Sequence, residues 1–531
     1  MSSTLTQKGT FLAAIACSIS IILVVVIYRL TFHHLAKYPG PLLGRVTDWY
    51  SVIRSARGDR HIHFLELHKK HGPFVRFGPN RISVNTAEGL SKIYGIKANT
   101  KKASYYHVFN DVFKGDSSLT TINEDLHTRK KRVVSSALSE SSVRAMEDIV
   151  LRNIRKFVQH LGESSHDQSA EVKGWSSPKN MTDWADYLSF DIMGDICFSG
   201  SFHMLDKPDN RYVLDVLPKG VNGLNMSGWM PGILRLKIGN ILFASLNEAM
   251  KRYEAFATQQ STKRLEMNPD LGFADVYSHL LAANAKCTKD GKQALFTPHD
   301  LVGESSLLIT GGSDTTATAI STTFFYLLHN PETYERLKSE VRPLFSSLEE
   351  IRGGAALSSC RWLRACIDEA MRMSPGVPGL LPREALAPGV EIAGQLFPPG
   401  VDLGVAHYAI HHNEALYPDS FSYKPQRWLM EPQKDETIDE AKHRVQLVQS
   451  GFCPFSIGPR GCVGKGLAMK ELMITIGRVV WLYDMRVAPG EEYRGCGGPG
   501  KGYGRQRDFE FQLKDMFVSK TDGPMVQFRR R

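Results

Sequence analysis

The chain has few cysteines for its length, and none sits in a spacing that performs chemistry by itself. Eight occur in 531 residues, at 17, 197, 287, 360, 366, 453, 462 and 496, with no CxxC pair and no regular interval. That argues against a disulfide framework or a zinc site, so most are read as buried thiols in a reducing compartment. The sequence also lacks an internal repeat, a flavin or nicotinamide motif, and a basic stripe with interleaved aromatics. Nucleic acid is therefore not an expected partner, even with a formal net charge of +10. Gly495–Gly500 fits Gly-x-Gly-x-x-Gly, but Pro499 interrupts it and no βαβ pattern surrounds it, which leaves a flexible loop. Gly464-Lys465 looks like the end of a phosphate loop, yet Gly466 stands where Ser or Thr is needed. His407, His411 and His412 are read as structural histidines rather than metal ligands.

What is present begins with an ordinary globular composition, 42% hydrophobic and 23% charged, enough to bury a large core. Gly9 to Tyr28 carries no charge, close to the ~20 apolar residues a helix needs to cross a bilayer. Arg29, His33, His34 and Lys37 follow it, against Lys8 before it, which places the body on the cytoplasmic side. The expected organisation is a short lumenal segment (1–10), an uncleaved transmembrane anchor (11–30), a Pro/Gly hinge around Tyr38-Pro39-Gly40-Pro41 (31–44), and one soluble domain (45–531). Pro73 to Asn85 alternates around Gly78-Pro79 and predicts a hairpin; Glu163–Asn180 and Cys287–Leu295 read as loops. Helical periodicity dominates the remainder, so the fold class is mainly α with small β-sheets.

Thr297 to Asn330 predicts one long helix, with Thr297 as N-cap, Pro298 at the first position and Asp300 in the first turn. At ~1.5 Å per residue it would cross a whole domain. Its centre reads Thr310-Gly311-Gly312-Ser313-Asp314-Thr315-Thr316, poor helix formers placed where a helix is longest. Either a close helix crossing or a site accounts for them.

The strongest signal is Phe455-Ser456-Ile457-Gly458-Pro459-Arg460-Gly461-Cys462-Val463-Gly464, a cysteine in a Gly/Pro loop that opens an amphipathic helix, Gly464–Tyr483. A helix N-terminus and a nearby cation favour thiolate, and glycines admit a flat ligand close to the backbone. This stretch resembles, at every defined position, the haem-ligand signature of the cytochrome P450 family, Phe-x-x-Gly-x-Arg-x-Cys-x-Gly. Glu369-Ala370-Met371-Arg372 resembles the family's Glu-x-x-Arg, and Pro425-Gln426-Arg427-Trp428 its Pro-Glu-Arg-Phe, with Gln426 and Trp428 as departures. The central helix is similar to the family's oxygen-activation segment.

The resemblance, closest to fungal microsomal members, implies the triangular P450 fold with haem b between the central helix and the cysteine-bearing helix. It implies Cys462 as axial ligand to the haem iron, with Phe455 and Gly464 beside it. Asp314 and Thr315 would be the acid–alcohol pair that delivers protons, because dioxygen activation with a thiolate ligand needs them. Arg460, Arg383, His127 and Lys131 would meet the haem propionates, while Arg129, Lys130 and Arg132 form an exposed basic face suited to an acidic reductase. Glu369, Arg372 and Arg427 would form a buried structural network. Tyr105, Tyr106, Phe109, Ile309, Val377, Leu380 and Phe517 would line an apolar pocket. The expected function is reductase-dependent monooxygenation (hydroxylation, epoxidation or desaturation) of a lipophilic substrate, tailoring a specialised metabolite such as a terpenoid, polyketide or alkaloid. NADPH would act indirectly through NADPH–cytochrome P450 reductase, with cytochrome b5 as a second partner. The location would be the endoplasmic reticulum membrane. The alternatives are hydroxylation of a small, benzoate-like aromatic acid and a haem-dependent isomerase or dehydratase that needs no reductase.

Overall fold

The computed structural model describes residues 2–163, 174–232, 244–267 and 275–531. Most of the expected 163–180 loop lies outside them. Eight helices matter for the site: α1 (Ser2–Ile27), α2 (Glu124–Ala137), α3 (Met181–Phe198), α4 (Val213–Trp229), α5 (Ala244–Glu266), α6 (Pro298–Leu328), α7 (Arg361–Met373) and α8 (Lys465–Leu482). The large helical core is organised on α6, which packs most extensively along α3 and also touches α5, α7 and α8.

The capping signals at the start of α6 operate as expected. Thr297 Oγ1 accepts from the Asp300 amide at 3.1 Å and Asp300 accepts from the Thr297 amide at 2.9 Å, a reciprocal box. The two central glycines answer to different needs. A Cβ on Gly312 would lie 2.3 Å from Met193 of α3, so this glycine permits the helix crossing. A Cβ on Gly311 would meet only Leu307, at 3.3 Å, and faces open space.

The predicted hairpin forms from β1 (Phe74–Gly78) and β2 (Arg81–Val84), paired antiparallel. With β3 (Thr100–Lys102), β4 (Arg383–Ala385) and β5 (Asp402–Gly404) it builds a five-stranded sheet in the order β1-β2-β5-β4-β3. A second, smaller core sits on this sheet. The predicted loop at 287 begins later than expected, because the helix Val276–Lys289 continues through Cys287.

Among the described residues one helix is long and apolar enough to cross a membrane, Thr10–Phe32, with mean hydropathy 2.8. Helix α1 starts at Ser2, so no break separates the first ten residues from the apolar run. The far end of this helix is held to the domain. Arg76 donates to Arg29 O at 2.7 Å, and Arg45 donates to Leu30 O and Ala36 O. These guanidinium groups satisfy carbonyls that a helix end leaves open. The hinge is a tight contact too: a Cβ on Gly40 would lie 2.0 Å from Arg76 O.

Candidate active site

A cavity of about 290 Å³ lies between α6 and the loop that leads into α8. Gly311 and Thr315 of α6 face it from one side, and Cys462 and Leu467 from the other. The loop is held in shape by its backbone. The Cys462 amide donates to Phe455 O at 2.8 Å, and Gly458 turns with φ +69° where a Cβ would strike Tyr94 O at 2.1 Å. Lys131 of α2 donates to Pro459 O and, at 2.8 Å, to Gly461 O, stapling the loop from outside.

The Cys462 side chain is open to the cavity although it lies deep in the protein. Burial pushes its thiol up, opposed by the amides of Gly464 and Lys465 and by the Lys131 and Lys465 ammonium groups. Burial therefore outweighs the helix terminus at this sulfur. Arg460 points elsewhere, to Thr121 O (2.7 Å), Ile122 O and Glu124 (2.8 Å), and its Nε is buried with no acceptor.

Beside the loop is a surplus of positive charge. Lys102 and Arg383, each 3% exposed, are register partners across β3 and β4. Like charges directly opposite destabilise a sheet. Arg460 and Lys131 add to them, and Glu124 is the acid acting on the group. His127 is held neutral, its pKa lowered to about 3 by burial and by Arg460, Lys131, Lys102 and Arg383. Four cations set against one acid, with an unused N–H on Arg460, fit a ligand that brings its own carboxylates.

Behind the loop, Glu369 is fully buried and accepts five hydrogen bonds. Arg372 gives two at 2.9 Å, Arg427 one at 3.2 Å, the Trp428 indole one at 3.0 Å and the Lys424 amide one at 3.0 Å. Arg372 then reaches His411 O and Ser420 O, both at 2.7 Å. His411 in turn accepts from the Cys453 amide at 3.0 Å, which ties the network to the segment just before the cysteine loop.

Comparison with known proteins decides the family. The family model "Cytochrome P450" matches residues 38–495. The chain is 37% identical to the cytochrome P450 monooxygenase AKT7 of Alternaria alternata, over 95% of this chain and 94% of that protein. It is 36% identical to the cytochrome P450 monooxygenase poxM of Penicillium oxalicum, over 95% and 92%. It is 28% identical to the tryprostatin B 6-hydroxylase of Neosartorya fischeri, over 91% and 83%. The chain belongs to the cytochrome P450 family. Membership makes it an oxidoreductase and implies a haem iron.

In this P450 the structure brings Cys462, Phe455, Gly464, Arg460, His127, Lys131, Thr315, Phe109, Val377 and Phe517 to the one cavity. Asp314 points away from it. Neighbours on a helix diverge by ~100°, so with Thr315 in the cavity the Asp314 carboxyl lies behind α6, near the Asp186–Lys520 ion pair (3.2 Å). Burial first, then Asp186, push Asp314 up to about 8, against the pull of Lys520. The same divergence puts Leu308 in the cavity wall and Ile309 in the core. Arg383 sits behind the wall, donating to Pro382 O and Tyr106 Oη, and Tyr106 backs onto it rather than the cavity. Tyr105 is turned to Asn225 and Trp229, and Leu380 packs over Gly404.

One expectation is corrected outright: Lys130 is not part of an exposed basic face. It is fully buried and paired with Asp300 at 3.2 Å, leaving Arg129 and Arg132 exposed. Its helical phase, three residues after His127, turns it inward. Histidines 407, 411 and 412 are buried structural groups, and among the described residues no cluster could hold a metal ion.

Lys102 and Glu471 are among the cavity residues that went unnoticed in the sequence. Lys102 is one of two adjacent lysines in a three-residue strand, and nothing local marks which of them turns inward. Glu471 could have been found, since Leu467, Ala468, Glu471 and Leu472 form one helical stripe on α8 and an acid there is out of place. It is buried, pushed up to about 8 by burial, and accepts from Ser189 Oγ at 3.2 Å.

Proposed function

We propose that this P450 is a membrane-anchored monooxygenase that inserts one atom of O2 into a lipophilic substrate, with Cys462 as the thiolate that holds the haem iron. The observation that carries the reading is a cysteine sulfur open to a cavity whose opposite wall presents Gly311 and the Thr315 hydroxyl. Haem bound there supplies the redox chemistry with dioxygen. Lys102, His127 and the free Nε of Arg460 would receive its carboxylates, with Arg383 reinforcing the charge from behind.

The remaining residues position, exclude water and move protons. Thr315 Oγ1 donates to Gly311 O at 2.9 Å, a bond it can exchange for an ordered water in the cavity. Asp314, with its raised pKa and an unpartnered Oδ2, stores a proton one residue away on the protected side of α6. Rotation of that side chain or an intervening water would link the two. Asp314→Asn is expected to lower turnover about 10²-fold while leaving haem content unchanged. Wild-type turnover should fall as pH rises through about 8, where Asp314 loses the stored proton, and Asp314→Asn should lose that limb. A pH profile of both proteins checks this, and an unchanged alkaline limb in the variant would remove Asp314 from the role.

Electrons would come from NADPH through a separate reductase, with cytochrome b5 as a second donor, and the anchor would place the domain on the cytoplasmic face of the endoplasmic reticulum. The cavity lining is mostly apolar, and one relative is named as hydroxylating tryprostatin B. Both support tailoring of a specialised metabolite. The test is expression with a reductase followed by metabolite profiling, with and without the reductase. NADPH- and reductase-dependent appearance of a product 16 mass units heavier (or two lighter, for desaturation) supports the reading. Turnover independent of reductase would replace it with an isomerase or dehydratase.

A further inference from the structure

One polar patch of the cavity wall, away from the cysteine loop, is shared by two helices. Tyr253 of α5 and Ser306 and Thr310 of α6 all line the cavity, and their hydroxyls converge. Tyr253 Oη lies 2.9 Å from Ser306 O and 2.5 Å from Thr310 Oγ1, and it is also bonded to Ser306 Oγ. Several other α6 hydroxyls turn back on their own helix: Ser305 donates to Leu301 O, Thr315 to Gly311 O and Thr316 to Gly312 O. Ser306 and Thr310 depart from that pattern and aim across at the tyrosine.

Counting protons shows what such a group can do. Three hydroxyls bring three protons, and Tyr253 can place its own on Ser306 O. The serine and threonine can then both donate to Tyr253 Oη, which leaves their own lone pairs open to a donor. Alternatively Tyr253 donates to Ser306 Oγ, and the serine proton is free for an acceptor. The cluster can therefore satisfy a hydroxyl or a carbonyl, and it loses nothing when neither is present.

Its charge environment narrows the choice. The basic residues in the cavity wall, Lys102, His127, Lys131 and Arg460, gather at the cysteine end. At the other end the charged groups are acids or already paired. Glu304, two residues from Ser306, is held by the Ser118 amide and hydroxyl, and Lys130 is committed to Asp300. The charged group acting on Tyr253 is Asp314, and burial keeps the phenol neutral by pushing it up to about 12. Among the described residues a carboxylate would find no free cation here, and Glu304 is already held by its own donors.

We infer that Tyr253, Ser306 and Thr310 select a neutral substrate that carries a hydroxyl or carbonyl remote from the carbon that is oxidised. The helix supplies a ruler. Thr310 is five residues and Ser306 nine residues before Thr315, so the polar group binds about 7–14 Å along α6 from the reacting position at ~1.5 Å per residue. This rests on the monooxygenase reading above and excludes a small aromatic acid as the substrate.

The test uses full-length, haem-loaded protein in membranes and three rigid probes of one skeleton: biphenyl, 4-phenylphenol and biphenyl-4-carboxylate. Binding is read from the haem absorbance shift, with the carbon monoxide spectrum recorded for every variant. Wild type should bind 4-phenylphenol about five- to tenfold more tightly than either of the others, the preference expected of one or two net hydrogen bonds. Tyr253→Phe, which keeps the ring against Phe113, should reduce that preference to about twofold or less without weakening biphenyl. Thr310→Val, nearly the same shape, provides a second variant if the first does not fold. No preference in wild type, tighter binding of the carboxylate, or a preference unchanged in both variants overturns the inference. Loss of the thiolate spectrum in wild type would instead overturn the monooxygenase reading, so the two failures are distinct.

Discussion

Cys462→Ala is expected to give a folded chain whose reduced, carbon monoxide-treated form lacks the thiolate-type difference spectrum and whose product formation falls to background. The loop does not depend on the sulfur for its shape. It is held by the Cys462 amide on Phe455 O, by Gly458 against Tyr94, and by Lys131 on two carbonyls, all of which alanine retains. The other cysteines cannot substitute. Cys453 is sealed in the sheet-side core and Cys366 in the helical core, with their thiols pushed up by burial. Haem retained with an unchanged thiolate spectrum in Cys462→Ala would refute the assignment. The spectrum decides this independently of substrate, which activity alone would not.

The second large effect is structural. Glu369→Ala should abolish accumulation of haem-loaded protein. The change leaves Arg372 and Arg427 buried without their shared carboxylate, and breaking a buried pair in this way costs about 3–5 kcal/mol. Typical domain stability is only about 5–15 kcal/mol. Trp428→Phe removes one of the five donors to the same carboxylate and should cost about 1 kcal/mol, leaving the protein foldable. The yield of haem-loaded Glu369→Ala, set beside a thermal melt of Trp428→Phe, separates the effects. A Trp428→Phe protein that also fails to accumulate would mean that the indole, not the arginines, carries the network. Trp428 stands out as a departure when the sequence is set beside the family pattern. In the structure it is an additional donor to the glutamate at the centre of that pattern.

Much of the fold was legible because its signals are local. The Thr297–Asp300 box, the hairpin around Pro79 and the apolar run before Arg29 each depend on a few adjacent residues, and all three form where expected. Cys462 and the Glu369 network were legible through the resemblance of their motifs to the family's, since Arg427 lies far along the chain from Glu369. Helical phase limited the rest. Asp314 and Thr315 are adjacent in sequence, yet α6 turns one towards Asp186 and Lys520 and the other into the cavity. Lys130 and Lys131 likewise differ by one position, and one is sealed against Asp300 while the other clamps the cysteine loop.

The sequence by itself determined the family chemistry: a cysteine in a glycine-bearing loop, a long helix weakened at its centre, and a long apolar run at one end. Only the tertiary structure decided where charge and polarity would meet. Lys102 and Arg383 lie about 280 residues apart and become neighbours through the pairing of β3 with β4. Tyr253 meets Thr310 only because α5 packs on α6. Such contacts depend on how elements are brought together in space, and no spacing along the chain records them.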